Sequence, residues 1–176
     1  MEYYFKGLLI VIRNIVAIPE PVLYRKAVKI KNVDANVQKL ADDMVETLRS
    51  TTGVGLAAPQ IGVSQRLIVV EFGGETDDED VELYVVVNPE IVEASDEMVA
   101  GVEGCLSVPD MIGEVFRHEK ITVKGLTVKG KPFKLKAEGW LARIFQHEID
   151  HLNGIIYTDR AEKIWRPEKG EVIDDV

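Results

Sequence analysis

Two histidines four residues apart, His147 and His151, flank a glutamate in Gln146-His147-Glu148-Ile149-Asp150-His151. Residues four apart share one face of a helix, so this H-E-x-x-H pattern lets both imidazoles hold one metal ion. Glu148 lies one residue further round, placed to reach a water on that metal rather than the metal itself. Two imidazoles, a carboxylate and an activated water are the working parts of a hydrolase. The third protein ligand decides which hydrolase. Of the 3 histidines in the chain, the remaining one, His118, lies in the charged run Arg117-His118-Glu119-Lys120 and reads as a solvated surface residue.

The chain has 1 cysteine, Cys105, in Gly101-Val102-Glu103-Gly104-Cys105-Leu106-Ser107-Val108-Pro109. A lone cysteine forms no intramolecular disulfide and gives no sign of an oxidising compartment. Most such thiols are buried and inert. Here the flanking glycines allow close approach of the backbone, and the neighbours are turn residues. A thiolate would also complete a Cys-His-His set that leaves a fourth position for water. A conventional zinc peptidase would instead draw its third ligand from downstream. Glu168 and Glu171 lie around Pro167 and Gly170 in an acidic tail, a poor place for a rigid ligand. Asp159 and Glu162 stay open as alternatives to the favoured Cys105.

Three segments together resemble the signature motifs of the peptide deformylases. They are Gly53-Val54-Gly55-Leu56-Ala57-Ala58-Pro59-Gln60, Glu103-Gly104-Cys105-Leu106-Ser107 and Gln146-His147-Glu148-Ile149-Asp150-His151, in the family's order. The likeness runs from about Pro19-Glu20-Pro21 to Asp159-Arg160. It implies removal of the formyl group from the N-terminal methionine of nascent chains. It implies Cys105, His147 and His151 as metal ligands and Glu148 as the group that moves the proton. The Gln60 side-chain amide and the Leu106 backbone N–H would bind the tetrahedral oxyanion, and Gly55 would hold its loop close to the substrate. Glu103 would pair with Arg117, and Asp150 would stand behind the ligands. Thiolate and imidazole suit zinc and ferrous iron alike. The family implies Fe²⁺, with Zn²⁺, Ni²⁺ or Co²⁺ as substitutes. The partner implied is the N-formyl-Met nascent peptide, with at most transient ribosome contact.

The glycine segment by itself fits G-x-G-x-x-A, a dinucleotide fingerprint. That fingerprint needs a strand before it and a helix opening at it. A helical pattern precedes it instead, with Val37, Leu40, Ala41, Met44, Val45 and Leu48 at three- and four-residue spacing. Pro59 and a strand come after it. The nucleotide reading fails on this context.

An apolar pocket for the methionine side chain is expected near the motif. Trp140 and Ile144 share the helical face of His147, and Val54 and Leu141 are further candidates. Arg143, four residues before His147, is expected to cap the pocket mouth or to reach the peptide backbone. Two other functions compete with deformylation. One is a zincin-type metallopeptidase. The other is a noncatalytic protein whose metal only staples the fold, which would leave Glu148 without a task.

The 176 residues suit one domain with one sizeable core. A net charge of −9 argues against a nonspecific nucleic-acid surface, though Lys129 to Lys136 form a local basic patch. The apolar run Leu8 to Ile12 is too short to cross a membrane. With no basic leader before it, it makes a poor signal peptide. The expected location is the bacterial cytoplasm, with a processed organellar form as the alternative. Helices are expected over Asn36–Ser50 and Gly139–Leu152. Strands are expected over Arg66–Phe72, Leu83–Asn88, Glu114–Leu126 and Lys131–Ala137, the last two joined by a turn at Lys129-Gly130. An exposed acidic loop is expected over Gly73–Asp80. Segregated helices and strands indicate an α+β fold, with the resemblance adding a central metal helix among antiparallel sheets. The expected division is an extension over 1–14 (a strand or packed segment), a catalytic domain over 15–160 and an acidic tail over 161–176.

Overall fold

The run Leu67-Ile68-Val69-Val70 offers no polar residue to water, and all four are fully buried. A computed structural model, which describes residues 3–5, 8–73 and 81–168, shows why. In chain order its elements begin with strands β1 (Tyr3–Phe5) and β2 (Leu8–Ile10) and helix α1 (Ala35–Arg49). Strands β3 (Gly55–Ala57), β4 (Leu67–Phe72), β5 (Glu82–Ala94) and β6 (Met98–Glu103) follow. Then come β7 (Ile112–His118), β8 (Lys120–Leu126), β9 (Pro132–Glu138), helix α2 (Gly139–Leu152) and β10 (Lys163–Trp165).

Every pairing between these strands is antiparallel. Among the described residues they form a five-stranded sheet in the order β3-β4-β5-β8-β9, a three-stranded sheet β10-β7-β6, and the pair β1-β2. Strand β4 is covered on both faces. Ile68 and Val70 pack with Ala142, Phe145, Ile149 and Leu152 of α2. Leu67 and Val69 pack with Val37, Leu40, Met44 and Leu48 of α1. A strand buried on both sides needs apolar side chains at every position, so its sequence is continuous rather than alternating. A smaller cluster of Leu23, Cys105, Val108, Val115, Ile156 and Tyr157 lies beside the three-stranded sheet.

Helix α2 stops at Leu152 for a reason in its sequence. Gly154 has φ +75°, and its N–H donates to the His151 carbonyl while Ile155 N–H donates to that of Asp150. This is the paired arrangement that closes a helix through a left-handed glycine. A Cβ on Gly154 would also come within 2.8 Å of the Tyr24 backbone.

Several expectations change. The single strand expected over Glu114–Leu126 is two, β7 and β8, in different sheets. Strand β5 runs on through Asn88 to Ala94, with register shifts on both sides of Glu90. The segment after Arg160 does not open as a plain tail, because Lys163–Trp165 pairs with Ile112–Glu114 of β7. Residues 169–176 and the core of the expected acidic loop, 74–80, lie outside the described residues. His118 is half-buried rather than solvated, with Nδ1 on the Ser95 carbonyl at 2.6 Å.

The segment after β2 is tied to α1 through one carboxylate. Asp43 is fully buried and accepts from Val11 N–H at 3.0 Å, from Arg13 Nη2 at 2.6 Å and from Lys39 Nζ at 2.9 Å. Burial alone would raise its pKa, but these donors outweigh burial and hold it below the ordinary 3.8. Asp43→Asn should lower the unfolding free energy by about 1–2 kcal/mol at pH 7, read by urea titration. A depressed folded-state pKa contributes stability above the unfolded value of 3.8, and that stability is lost as the pH falls through the folded value. Wild type and variant should therefore converge at acid pH. A gap that persists there would assign the loss to packing.

Candidate metal centre

Helix α2 is buried from Ala142 to Leu152, yet that stretch contains Arg143, Gln146, His147, Glu148, Asp150 and His151. Polar groups survive burial only when paired or coordinated, and most of these are. Gln146 receives His118 N–H on Oε1 at 3.0 Å and donates to the His118 carbonyl at 2.9 Å. Its amide thus pairs with β7 at the strand's end, as a neighbouring strand would. Asp150 accepts from Arg117 Nη1 and from Arg160 Nη2, the latter at 2.7 Å.

The histidines converge on Cys105. His151 Nε2 is 3.2 Å from Cys105 Sγ and 3.2 Å from His147 Nε2. The three ligand atoms lie within 4.8 Å of one another, and all three residues are buried. A tetrahedral ion with bonds of about 2.0–2.3 Å sets its donors roughly 3.3–3.7 Å apart, so this set fits one with little movement. Asp159 is engaged elsewhere, its Oδ2 accepting from Ile156 N–H at 2.9 Å. Glu162 is exposed and does not join the cluster.

The electrostatics suit a cation. Burial pushes the Cys105 thiol up to about 12, and the charges of Glu148 and Glu103 add to this against the pull of the Ser107 and Val108 N–H groups. A bound divalent ion reverses that balance, since coordination deprotonates a thiol outright. Burial, with His147 and Arg117 adding, holds His151 well below its ordinary pKa, so its imidazole is neutral and free to ligate.

Glu103 orients the other imidazole. Arg117 Nε and Nη2 grip its two carboxylate oxygens, each at 2.9 Å, and His147 Nδ1 is 2.9 Å from Oε2. Burial would raise the Glu103 pKa, but Arg117 and His147 hold it far below the carboxylate range. An ionised carboxylate can only accept, so Nδ1 carries the proton and Nε2 keeps its lone pair for the centre.

Two loops bring the remaining groups. After β3, Gln60 lies in a 3-10 turn over Ala58–Ile61. Its Oε1 accepts Ala57 N–H at 2.7 Å, which aims Nε2 at Cys105 Sγ, 3.6 Å away. Gly53 and Leu106 bring the loops into contact, since a Cβ on Gly53 would meet Leu106 Cδ1 at 3.0 Å. Gly55 also answers a need inside the protein. A Cβ there would stand 2.4 Å from Glu148 Oε1, so the glycine makes room for that carboxylate. Both Glu148 oxygens are buried without a protein partner, and burial, reinforced by Glu103, raises its pKa well above the ordinary value.

The family model for polypeptide deformylase matches residues 12–166. The chain belongs to the peptide deformylase family. It is 52% identical over 162 residues to a peptide deformylase of Symbiobacterium thermophilum, covering 91% of this chain and 72% of that one. With the enzyme of Natranaerobius thermophilus it shares 48% over 150 residues, 85% and 92% of the two chains. Among solved structures, peptide deformylase from Thermotoga maritima superposes with a TM-score of 0.80 at 39% identity, covering 86% of this chain and 99% of that one. A peptide deformylase of Acinetobacter baumannii bound to Met-Ala-Ser gives a TM-score of 0.79 at 40% identity, covering 85% and 98%. The activity is metal-dependent removal of the N-formyl group from nascent polypeptides. Among the described residues no helix is long and apolar enough to cross a membrane.

The pocket expectations divide. Val54, Trp140 and Leu141 are half-buried and pack at the border of the core on α2. Ile144 has no accessible surface and belongs to that core. Arg143 does not cap a pocket. It is buried, with Nη1 on Glu103 Oε1 at 2.8 Å and on the Val115 carbonyl, and Nη2 on the Val99 carbonyl. Sequence reasoning also missed Arg160, and the only available signal was its charge ten residues after Asp150.

Gly55→Ala should displace Glu148 while leaving the ligand residues alone. Deformylation should fall by about 100-fold, the usual effect of a misplacement near 1 Å, with the bound-metal stoichiometry unchanged. Loss of metal together with activity would mean that the glycine serves the metal site instead.

Proposed function

We propose that Cys105, His147 and His151 hold Fe²⁺, that Glu148 carries the proton, and that the Gln60 amide and Leu106 N–H bind the oxyanion. The observation that carries this reading is the convergence of Sγ and two Nε2 atoms beside a buried, unpartnered carboxylate. The donor set suits Fe²⁺ and Zn²⁺ equally, and the choice of iron rests on the family. When bound, the ion supplies Lewis acidity, which makes water nucleophilic near neutral pH and polarises a carbonyl.

The protein groups do the rest. Glu148 takes a proton from the attacking water as the O–C bond to the formyl carbon forms, and returns it to the nitrogen as the C–N bond breaks. Formate and a free amine result. Burial, with the charge of Glu103 adding, raises the Glu148 pKa above the ordinary carboxylate value, which strengthens its hold on a proton taken from water. Gln60 donates without bringing a competing charge, and its Oε1 is already fixed by Ala57, so the donor is set before substrate arrives. Val54, Trp140 and Leu141 border the methionine pocket, a reading supported by their partial exposure beside α2. The Acinetobacter enzyme bound to Met-Ala-Ser supports a peptide beginning with methionine as the product. The catalytic unit begins near Ile15 and extends past Arg160 to take in β10. The bacterial relatives support a cytoplasmic enzyme.

Protein purified without oxygen and loaded with Fe²⁺ should release formate from a formyl-Met peptide. Glu148→Ala should reduce that release by at least about 100-fold with metal retained. Cys105→Ser should lose the metal, whereas Asp159→Ala and Glu162→Ala should keep both metal and activity. Full activity in Glu148→Ala would remove it from the proton path. Retention of tight metal by Cys105→Ser would overturn the ligand set.

A further inference from the structure

Glu103 receives more positive charge than one carboxylate needs. Arg117 already engages both of its oxygens, and Arg143 Nη1 adds a second guanidinium on Oε1 at 2.8 Å. Each oxygen then has two donors: Oε1 takes Arg117 and Arg143, and Oε2 takes Arg117 and His147. Arg117 is shared, because its Nη1 turns to Asp150, which Arg160 also meets. Arg143 takes Oε1 and leaves Oε2 to Arg117 and His147, so Glu103 has a cation of its own while Arg117 serves two carboxylates.

Arg143 is also fastened to the sheet that carries Glu103. It donates to Val115 O at 2.9 Å and to Val99 O at 2.7 Å, on β7 and β6. Its place is kept open by a glycine. A Cβ on Gly101 would lie 2.5 Å from Arg143 Cζ and 2.6 Å from Nη2. The indole of Trp140 covers the guanidinium, 5.6 Å from Cζ to the ring. On α2, Arg143 stands one turn before His147, so Glu103 bridges two successive turns of the same helix face.

We propose that Arg143 is a positioning residue of the metal centre: through Glu103 it fixes the orientation and tautomer of His147 and so sets metal affinity, and Gly101 exists to admit it. This rests on the reading of Cys105, His147 and His151 as the ligands. Arg143 touches neither substrate nor metal. Its effect passes through one carboxylate to one imidazole, and such outer hydrogen bonds change metal affinity by about 10–100-fold.

Two variants reach the contact from opposite sides. Arg143→Met removes the guanidinium at similar length, while Gly101→Ala leaves the charge in the chain but pushes it from its place. Co²⁺ affinity is measured by competition with a chromophoric chelator, at a temperature where circular dichroism shows each protein folded, and the visible Co²⁺ absorption reports ligand geometry. Both variants should bind Co²⁺ about 10–100-fold more weakly with an altered absorption band. Arg143→Lys, which restores one donor, should recover part of the loss. At saturating metal, the KM for a formyl-Met peptide should change less than the metal affinity, since Arg143 reaches the pocket only through Trp140. Folded variants with wild-type affinity and spectrum would overturn the proposal, as would a loss confined to thermal stability. Failure of the wild type to bind Co²⁺ at one site would instead sink the ligand assignment itself. If Arg143→Met does not fold, Gly101→Ala decides.

Discussion

A helix is buried with arginine, histidine, glutamate and aspartate along it at a high cost unless those groups are paired, coordinated or neutralised. In α2 that requirement is met largely at one point, the Glu103 carboxylate. It lies at the end of β6, faces α2, and is gripped by Arg117 from β7 and Arg143 from α2. Without it, two buried guanidinium groups and one imidazole N–H would lose an acceptor together. The contact therefore joins three things that are usually separate. It lets the helix be buried, it docks the three-stranded sheet on that helix, and it sets which nitrogen of His147 is free.

The rest of the architecture serves this geometry by covering it. The five-stranded sheet lies between the two helices, and β4 reaches both, so α1 fixes the sheet on which α2 rests. Strand β3, at one edge of that sheet, leads into the turn that carries Gln60, and β6, at one edge of the other sheet, leads to Cys105. The centre forms where two sheet edges converge on the helix. Small residues mark the tightest approaches: Gly55 beneath Glu148 and Gly101 beneath Arg143. In both places the glycine is required by a long polar side chain arriving from α2, which its own neighbours in sequence do not reveal.

Legibility in the sequence divides in the same way between local and distant causes. The limits of α2 were readable because its stop lies in Asn153-Gly154, and the helix runs over Gly139–Leu152 as expected. Helix α1 differs from its expected span by one residue at each end. The candidate ligands Cys105, His147 and His151 stood out through rarity and spacing. The break between β7 and β8 did not, because alternation continues through Arg117-His118-Glu119-Lys120 while the pairing partners change. Those partners are Met98 in one sheet and Glu138 in the other, neither of them a neighbour in sequence. Arg143 was misplaced for a related reason. Arginine is rarely fully buried, so a charge near a motif reads as a pocket rim. Its acceptor lies forty residues away, and nothing local announces it.

The two buried glutamates beside the centre show how one chain gives the same side chain opposite duties. Glu103 has a donor at every available position and two cations against it, and stays ionised as a fixed acceptor. Glu148, on α2, is equally buried but has no protein donor, and the charge of Glu103 raises its proton affinity further. The first can hold an imidazole because it does not take up a proton. The second is suited to the proton-carrying role proposed for it, because among the described residues no other group claims its oxygens. The cations that fix Glu103 are turned away from Glu148: the guanidinium groups of Arg117 and Arg143 spend their hydrogen bonds on Glu103, Asp150 and backbone carbonyls. Moving one of them toward Glu148 would lower its proton affinity and weaken the hold on His147 at once, so the placement of those arginines constrains both duties together.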